Sequence, residues 1–338
     1  MNDQTIAADL VKALQRPDGD LNLRPVHTMG IGMSGHFIAS DVARNFCIAA
    51  HFQGEKIPVT GRFSNGSGSA TERDDWSDVR GMAIRFHLPD GTATDLLGMT
   101  LPAFFGPTKK TALAFIKASP AIPYFRENAW AKIFDYLRMM IPKRNPYPNE
   151  TLSPDEGAFD YANKNQFAQL PVFGAATVGA PTGYTRADYH AVHTFIITSP
   201  DGVRRYVRFT WQPISGVQPR KLTKEPDNNY LHDELRDRLD GDGEAQFSLM
   251  MQLGEAGDDL NDCSRPWPPR RIRILMGTLT LDHVAEDQTA DCEDLSFNPG
   301  LLTEGIEPSD DPILAARRDS YEISSEWRKA TRCPFAKD

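Results

Sequence analysis

Cysteine is scarce. The 338-residue chain holds four (Cys47, Cys263, Cys292 and Cys333), far apart and forming no C-x-x-C pair. That spacing argues against a disulfide framework or a zinc site and predicts reduced, mostly structural thiols. Long apolar runs are lacking too: none approaches the roughly 20 residues a spanning helix needs. The opening residues, Met1-Asn2-Asp3-Gln4-Thr5, are polar and acidic, with no apolar core behind a basic start. A secretory leader is therefore not expected, and a cytoplasmic location is. Positive charge is in deficit, 37 Lys+Arg against 46 Asp+Glu, for a net charge of -9. This argues against nucleic-acid and anionic-membrane binding, which need basic patches, but leaves room for a local basic pocket. Internal repeats, low-complexity tracts and a dividing linker are all absent. One domain over 1-338 is expected, with residues 1-20 as an N-terminal helix and arm and 329-338 as a tail.

What is present is ordinary for a globular protein: 40% hydrophobic and 25% charged residues. Residues 5-15 read as a short amphipathic helix capped by Thr5 and ended by Pro17-Asp18-Gly19. The run Gly30-Ile31-Gly32-Met33-Ser34-Gly35-His36 has no βαβ context, so its glycines signal close backbone approach or strand distortion rather than a dinucleotide site. Alternating patterns predict strands at 56-64, 81-88, 95-100, 193-197, 205-211, 247-253 and 272-281. Helical spacing predicts helices at 108-118, 126-141 and 229-239. Hairpin-type connections such as Pro89-Asp90-Gly91 and Ser199-Pro200-Asp201-Gly202 make the strands antiparallel. The class is α+β: a closed or nearly closed antiparallel β-barrel with helical insertions.

The chemistry gathers at the far end of the chain. Arg317 precedes Tyr321 by four residues, one helical turn, and a guanidinium there favours the anionic phenolate. Tyrosine is one of the few protein ligands of haem iron, which makes Tyr321 a candidate metal ligand. By itself R-x-x-x-Y is common in helices for packing reasons. Three clusters upstream give it weight: Arg24-Pro25-Val26-His27, Arg62-Phe63-Ser64, and Ser77-Asp78-Val79-Arg80-Gly81 with the run from Asp95 to Phe104-Phe105.

Together with Gly305-Ile306-Glu307-Pro308-Ser309 and Arg317-Arg318-Asp319-Ser320-Tyr321, these motifs resemble those of the haem catalases, in particular the short catalase-related peroxidases. The likeness runs from about Leu23 to Arg328. It implies the catalase eight-stranded antiparallel β-barrel with surrounding helices, without the C-terminal helical domain of full-length catalases. It implies haem b, with iron held by Tyr321 and with Arg317 beside the phenolate. It implies propionate contacts from Arg24, Arg62 and Arg328, and a place against the haem for Val26. His27 becomes the distal acid-base, suited to moving a peroxide proton because a neutral imidazole titrates near operating pH. Ser64 orients its ring. The remaining histidines (His36, His51, His87, His190, His193, His232 and His283) match no catalytic position and are expected to be structural. Asp78 matches an acidic residue of the access channel, with a plain loop charge as the alternative. Phe104 and Phe105 are expected either to line the distal pocket or to pack as core.

Two positions leave the catalase pattern. Thr100 stands where catalases carry asparagine, and its shorter hydroxyl offers one differently aimed hydrogen bond. Ala112, or Leu113 with a one-residue shift, stands where a phenylalanine stacks on the haem. These changes predict weak catalase activity, with a small organic reductant supplying the electrons for reduction of hydrogen peroxide or an organic hydroperoxide. A fatty-acid hydroperoxide rearrangement is the second reading, favoured by the wider pocket and disfavoured by Val26, where such enzymes carry threonine. A specialised biosynthetic oxidase and a haem-binding barrel without turnover are the others. With most of the catalase N-terminal arm missing, a homodimer is the expected assembly.

Overall fold

The computed structural model describes residues 3–14, 23–68, 73–75, 77–118, 158–220 and 229–332. The expected helix at 126-141 and Cys333 lie outside them. Nine strands are described: β1 (Gly30–Ala39), β2 (Lys56–Asn65), β3 (Arg80–His87), β4 (Ala93–Met99), β5 (Tyr189–Thr198), β6 (Arg204–Pro213), β7 (Ala245–Leu253), β8 (Arg273–Val284) and β9 (Ile306–Pro308). Helices are α1 (Asp3–Leu14), α2 (Lys109–Ala118), α3 (Ala158–Lys164), α4 (Gln166–Thr177), α5 (Tyr230–Arg238) and α6 (Pro312–Arg332), with a short π-helix at Thr289–Glu293.

All pairings are antiparallel, in the order β4-β3-β2-β1-β8-β7-β6-β5, and a further β4–β5 pairing at Met99↔His190 closes the eight strands into a barrel. The short β9 adds to β5 through Phe195, Ile196 and Ile197. Closure removes the exposed edges that an open sheet would leave.

The side-chain period of two builds the interior. On β1, Ile31, Met33 and Phe37 point inward; on β2, Ile57, Val59 and Phe63; on β3, Met82, Ile84 and Phe86. With Phe209, Trp211, Phe247, Leu279 and Leu281 they form one buried cluster. Aromatic rings meet edge to face, as Phe37 does with Phe86 at 5.3 Å, or in parallel, as Phe63 does with Tyr184 at 5.3 Å. Each such side chain contributes on the order of 2–3 kcal/mol by burial. A second cluster joins the outer wall to the helices and includes Leu10, Val79, Met99, Leu101, Ala112, Ile313 and Ala316.

The glycines of β1 mark close approaches. A Cβ on Gly30 would strike the Arg62 guanidinium, one on Gly32 the Cys292 side chain, and one on Gly35 the carbonyl of Thr280, beside a register shift at Ser34/Gly35. The three described cysteines are free and buried. Helix α1 begins at Asp3, two residues before the expected Thr5 cap. Helices α3 and α4, the latter with Pro171 inside it, lack a clear sequence signal. No helix among the described residues is long and apolar enough to cross a membrane.

His51 lies in the barrel interior, 3% exposed, with its ring 4.1 Å from that of Phe52 and 4.7 Å from that of Phe86. Burial pushes its pKa down to about 3. The unfolded chain therefore takes up a proton that the folded chain refuses, and stability is lost as pH falls from about 6.5 toward 3. In urea titrations at pH 7 and pH 5, His51→Leu is expected to make the acid loss smaller by about 2 kcal/mol.

Candidate active site

The first cluster forms on the outer face of β2. Phe63 points into the barrel, so its neighbours Arg62 and Ser64 point out. Ser64 Oγ lies 3.0 Å from His27 Nδ1. His27 sits in the loop before β1 and has φ of 57°, the one positive value among the described non-glycine residues. Such backbone is disfavoured for a residue with a Cβ and persists only where its surroundings impose it. Here the His27 N–H donates to Gly66 O at 3.2 Å, and the Thr28 N–H to Ser67 O at 3.2 Å. Gly81 lies opposite Ser64 on β3, and a Cβ there would come within 2.8 Å of both Nδ1 of His27 and Oγ of Ser64. Burial, with Arg62 and Arg317 adding to it, pushes the His27 pKa down to about 3. The ring is therefore neutral at physiological pH.

Thr100 continues the β3–β4 ladder one residue past Gly81↔Met99. Its N–H donates to Arg80 O at 3.0 Å, and its Oγ1 accepts from the Arg80 N–H at 3.0 Å. That leaves the hydroxyl proton to donate elsewhere. Val26 is half-buried beside His27. Asp78, 6% exposed, accepts from the backbone N–H of Gly66 at 2.8 Å and of Ser67 at 3.0 Å, and lies 3.8 Å from Arg80. It thus anchors the loop that receives His27.

The second cluster is cationic. Arg24 and Arg62 share Glu293, one on each carboxylate oxygen, Arg62 Nε at 2.8 Å. Arg24 also donates to the carbonyls of Cys292 and Leu295. Arg328, 7% exposed on α6, donates to Ser324 Oγ at 3.1 Å. Burial, then the charge of Arg62, lowers the Arg24 pKa to about 10; Glu293 opposes this and Arg328 adds to it. Two buried guanidinium groups, Arg62 and Arg328, thus lie within electrostatic range of the half-buried Arg24, with one carboxylate between Arg24 and Arg62, an arrangement whose charge and donors suit further carboxylates.

The third cluster is on α6. Arg317 NH2 donates to the Tyr321 phenol oxygen at 3.1 Å, as the spacing predicts. Arg317 NH1 lies 2.9 Å from His193 Nε2, and His193 Nδ1 lies 2.7 Å from Asp311 Oδ2. Arginine only donates, so Nε2 must accept, and the imidazole proton sits on Nδ1, donated to Asp311. Burial alone would raise the Asp311 pKa, but the hydrogen bond from His193 brings it below the ordinary carboxylate value. His193, expected to be structural, thus orients Arg317 against Tyr321. No local signal reveals this, since His193 is 124 residues from Arg317. For Asp311 the sequence offers one signal, the helix-opening pair Asp311-Pro312, and Asp311 caps the Ile313 N–H at 2.8 Å.

Phe104 belongs to this third cluster: its ring lies 5.4 Å from the Arg317 guanidinium and 6.2 Å from the His193 ring. Phe105 stacks on Phe115 at 4.7 Å. Ala112 is buried in the apolar cluster between wall and helices, with Leu113 packed against it. A surface depression of about 730 Å³, lined by Arg220, Tyr230, Glu234 and Arg238 among others, contains none of the residues above.

A closed eight-stranded antiparallel barrel with Arg62 and a histidine–serine pair at its outer wall, further arginines from the preceding loop and the last helix, and a tyrosine–arginine pair on that helix, has the architecture of the β-barrel haem proteins. The chain belongs to the catalase family, whose sequence model, described as Catalase, matches residues 20–141 and 139–333. It is 30% identical over 309 residues to a protein named catalase-related peroxidase from Mycolicibacterium paratuberculosis (90% of this chain, 88% of the relative). It is 28% identical to one of the same name from Synechococcus elongatus (90% and 83%). Against Catalase-2 of Bacillus subtilis the identity is 27%, over 88% of this chain but only 42% of the relative. Among solved structures, catalase A from Saccharomyces cerevisiae superposes with a TM-score of 0.74 at 22% identity, covering 93% of this chain and 63% of that one. A fungal catalase gives 0.73 over 90% and 59%. The chain therefore spans about three fifths of those structures and most of the length of the catalase-related peroxidases.

Gly81→Ala tests the geometry around His27. The added methyl group must displace the imidazole or the serine. A crystal structure of the variant is expected to show the Nδ1–Oγ contact broken, with the barrel unchanged. Any reaction that depends on the placement of the ring is expected to slow by roughly 100-fold.

Proposed function

We propose that this protein is a haem-dependent peroxidase that reduces hydrogen peroxide or an organic hydroperoxide with electrons from a small organic donor, and has weak catalase activity. Membership of the catalase family implies haem, and the residues fit that group. A phenol held by a guanidinium suits a hard axial ligand, and a cluster of buried arginines suits two carboxylates. Tyr321 would hold the iron, and Arg24, Arg62 and Arg328 the propionates. When bound, the haem supplies the redox centre at which the peroxide O–O bond is cleaved.

The chain's own residues supply the rest. His27, which burial keeps neutral with a pKa well below operating pH rather than near it as the sequence suggests, would take the peroxide proton and pass it to the departing oxygen. Ser64 fixes the ring plane through Nδ1. Thr100 has one hydroxyl proton to offer the peroxide, where an asparagine would present an amide. Arg317, aimed by His193 and Asp311, stabilises negative charge on Tyr321. The balance is ROOH + AH2 → ROH + H2O + A, the donor AH2 losing two electrons and two protons. Relatives of matching length carry the name catalase-related peroxidase, which supports the donor-dependent reading over disproportionation. The observation that carries the proposal is that groups far apart in sequence meet: His27, paired with Ser64, lies within electrostatic range of Arg62, Arg24 and Arg317, and Arg317 holds Tyr321.

The haem-loaded protein is expected to show a high-spin ferric tyrosinate spectrum that Tyr321→Phe abolishes or alters. It is expected to oxidise a donor dye with hydrogen peroxide and to evolve oxygen only slowly without one. Fast oxygen evolution would defeat the donor-dependent reading, and conversion of a lipid hydroperoxide to a rearranged product without donor would replace it.

A further inference from the structure

Arg62 makes more contacts than a carboxylate anchor requires. Its NH1 donates to the carbonyl of His27 at 2.8 Å and its NH2 to the carbonyl of Thr28 at 3.1 Å, while Nε is held by Glu293 at 2.8 Å. The two carbonyls are successive, and they belong to the turn in which His27 has φ of 57°. A planar guanidinium can span two neighbouring acceptors in a fixed fork, which an ammonium cannot. Gly30 has no side chain where that guanidinium lies, and Arg62 is 4% exposed. The N–H groups of His27 and Thr28 are held from the other side by Gly66 and Ser67. Two residues further along the same strand face, Ser64 holds the ring.

We infer that Arg62 is a positioning residue for His27: its fork holds the main chain of the left-handed turn as Ser64 holds the imidazole, and Glu293 fixes the fork. This rests on the proposed role of His27, and it goes beyond a propionate contact for Arg62. The motif Arg62-Phe63-Ser64 then has a physical meaning. Its outward residues clamp the backbone and the ring of one histidine, and its inward residue is core. Glu293, at the end of the π-helix, is the third member, bringing to the clamp a chain segment 231 residues away.

The test compares Arg62→Lys with Glu293→Gln, both in the haem-loaded full-length protein. Lysine keeps a positive charge for a carboxylate but loses the fork. Amide hydrogen exchange over residues 27–30 and 66–68 is expected to speed up by about tenfold or more in Arg62→Lys, and less in Glu293→Gln, with the barrel strands unaffected. Per bound haem, association of cyanide and the first reaction with hydrogen peroxide are expected to slow by roughly 10- to 100-fold, with the tyrosinate spectrum retained. If Arg62→Lys binds haem weakly but keeps wild-type exchange at 27–30 and a wild-type per-haem rate, Arg62 is a carboxylate anchor only and the inference fails. If Arg62→Lys does not fold, Glu293→Gln decides: unchanged exchange and rate there overturn the clamp. A wild-type protein that takes up haem but does not react with peroxide defeats the proposed function instead. The exchange comparison still reads the clamp in that case.

Discussion

The site depends on the second half of β2, Gly61 to Asn65, being buried on both faces, whereas the outward residues Lys56 and Pro58 of its first half are exposed. A strand alternates its side chains, so a barrel wall that puts core on one face builds a buried site on the other where that outer face is covered as well. Inward go Ile57, Val59 and Phe63; outward go Arg62 and Ser64, which are 4% and 5% exposed. The cover on this strand comes from the loop of His27 and from the π-helix that carries Glu293. Site geometry is thus tied to barrel geometry. A one-residue slip of β2 would turn Arg62 and Ser64 into the core and bring Phe63 out to the histidine.

Charge is the second constraint. The chain carries a net -9, yet Arg62 and Arg328 are buried, and Arg24 keeps only 12% side-chain exposure, against the outside of the wall. Buried charge is tolerated only when it is paired and hydrogen-bonded. Glu293 serves Arg24 and Arg62, and backbone carbonyls take further donors from both. The same logic governs the tyrosine side. There Asp311, His193, Arg317 and Tyr321 form one hydrogen-bonded line, and because arginine only donates, the His193 proton sits on Nδ1 toward Asp311. The low basicity of His27 also follows from this arrangement, because a buried imidazole near Arg62 and Arg317 resists a further positive charge.

Much of the fold was legible in the sequence, because local pattern and tertiary demand agree there. The strand expected at 56-64 is Lys56–Asn65, that at 81-88 is Arg80–His87, and the helix expected at 108-118 is Lys109–Ala118. The glycines read as close approaches do meet Arg62, Cys292 and Thr280. Helix α4 has no clear local signal because Pro171 and Gly174 interrupt its propensity, and packing outweighs that cost. Of the site, the Arg317–Tyr321 contact could be read from spacing, since one helical turn brings the two side chains together. The placement of Phe104 under Arg317 could not be read, nor could the part His193 plays. An aromatic or a histidine in an apolar run looks the same whether it fills a core or supports an arginine.

What the sequence determined by itself was chemistry and periodicity: which residues can ligate, shuttle a proton or hold a carboxylate, and which strands have two faces. Only the tertiary structure decided how those residues meet. It put Glu293 between two arginines 269 and 231 residues away, and set Asp311 against His193 across 118. It also holds His27 at a positive φ, a conformation uncommon for any residue with a Cβ. The reason is that such contacts depend on barrel closure and register, which bring distant segments together and are encoded by no short stretch of the chain.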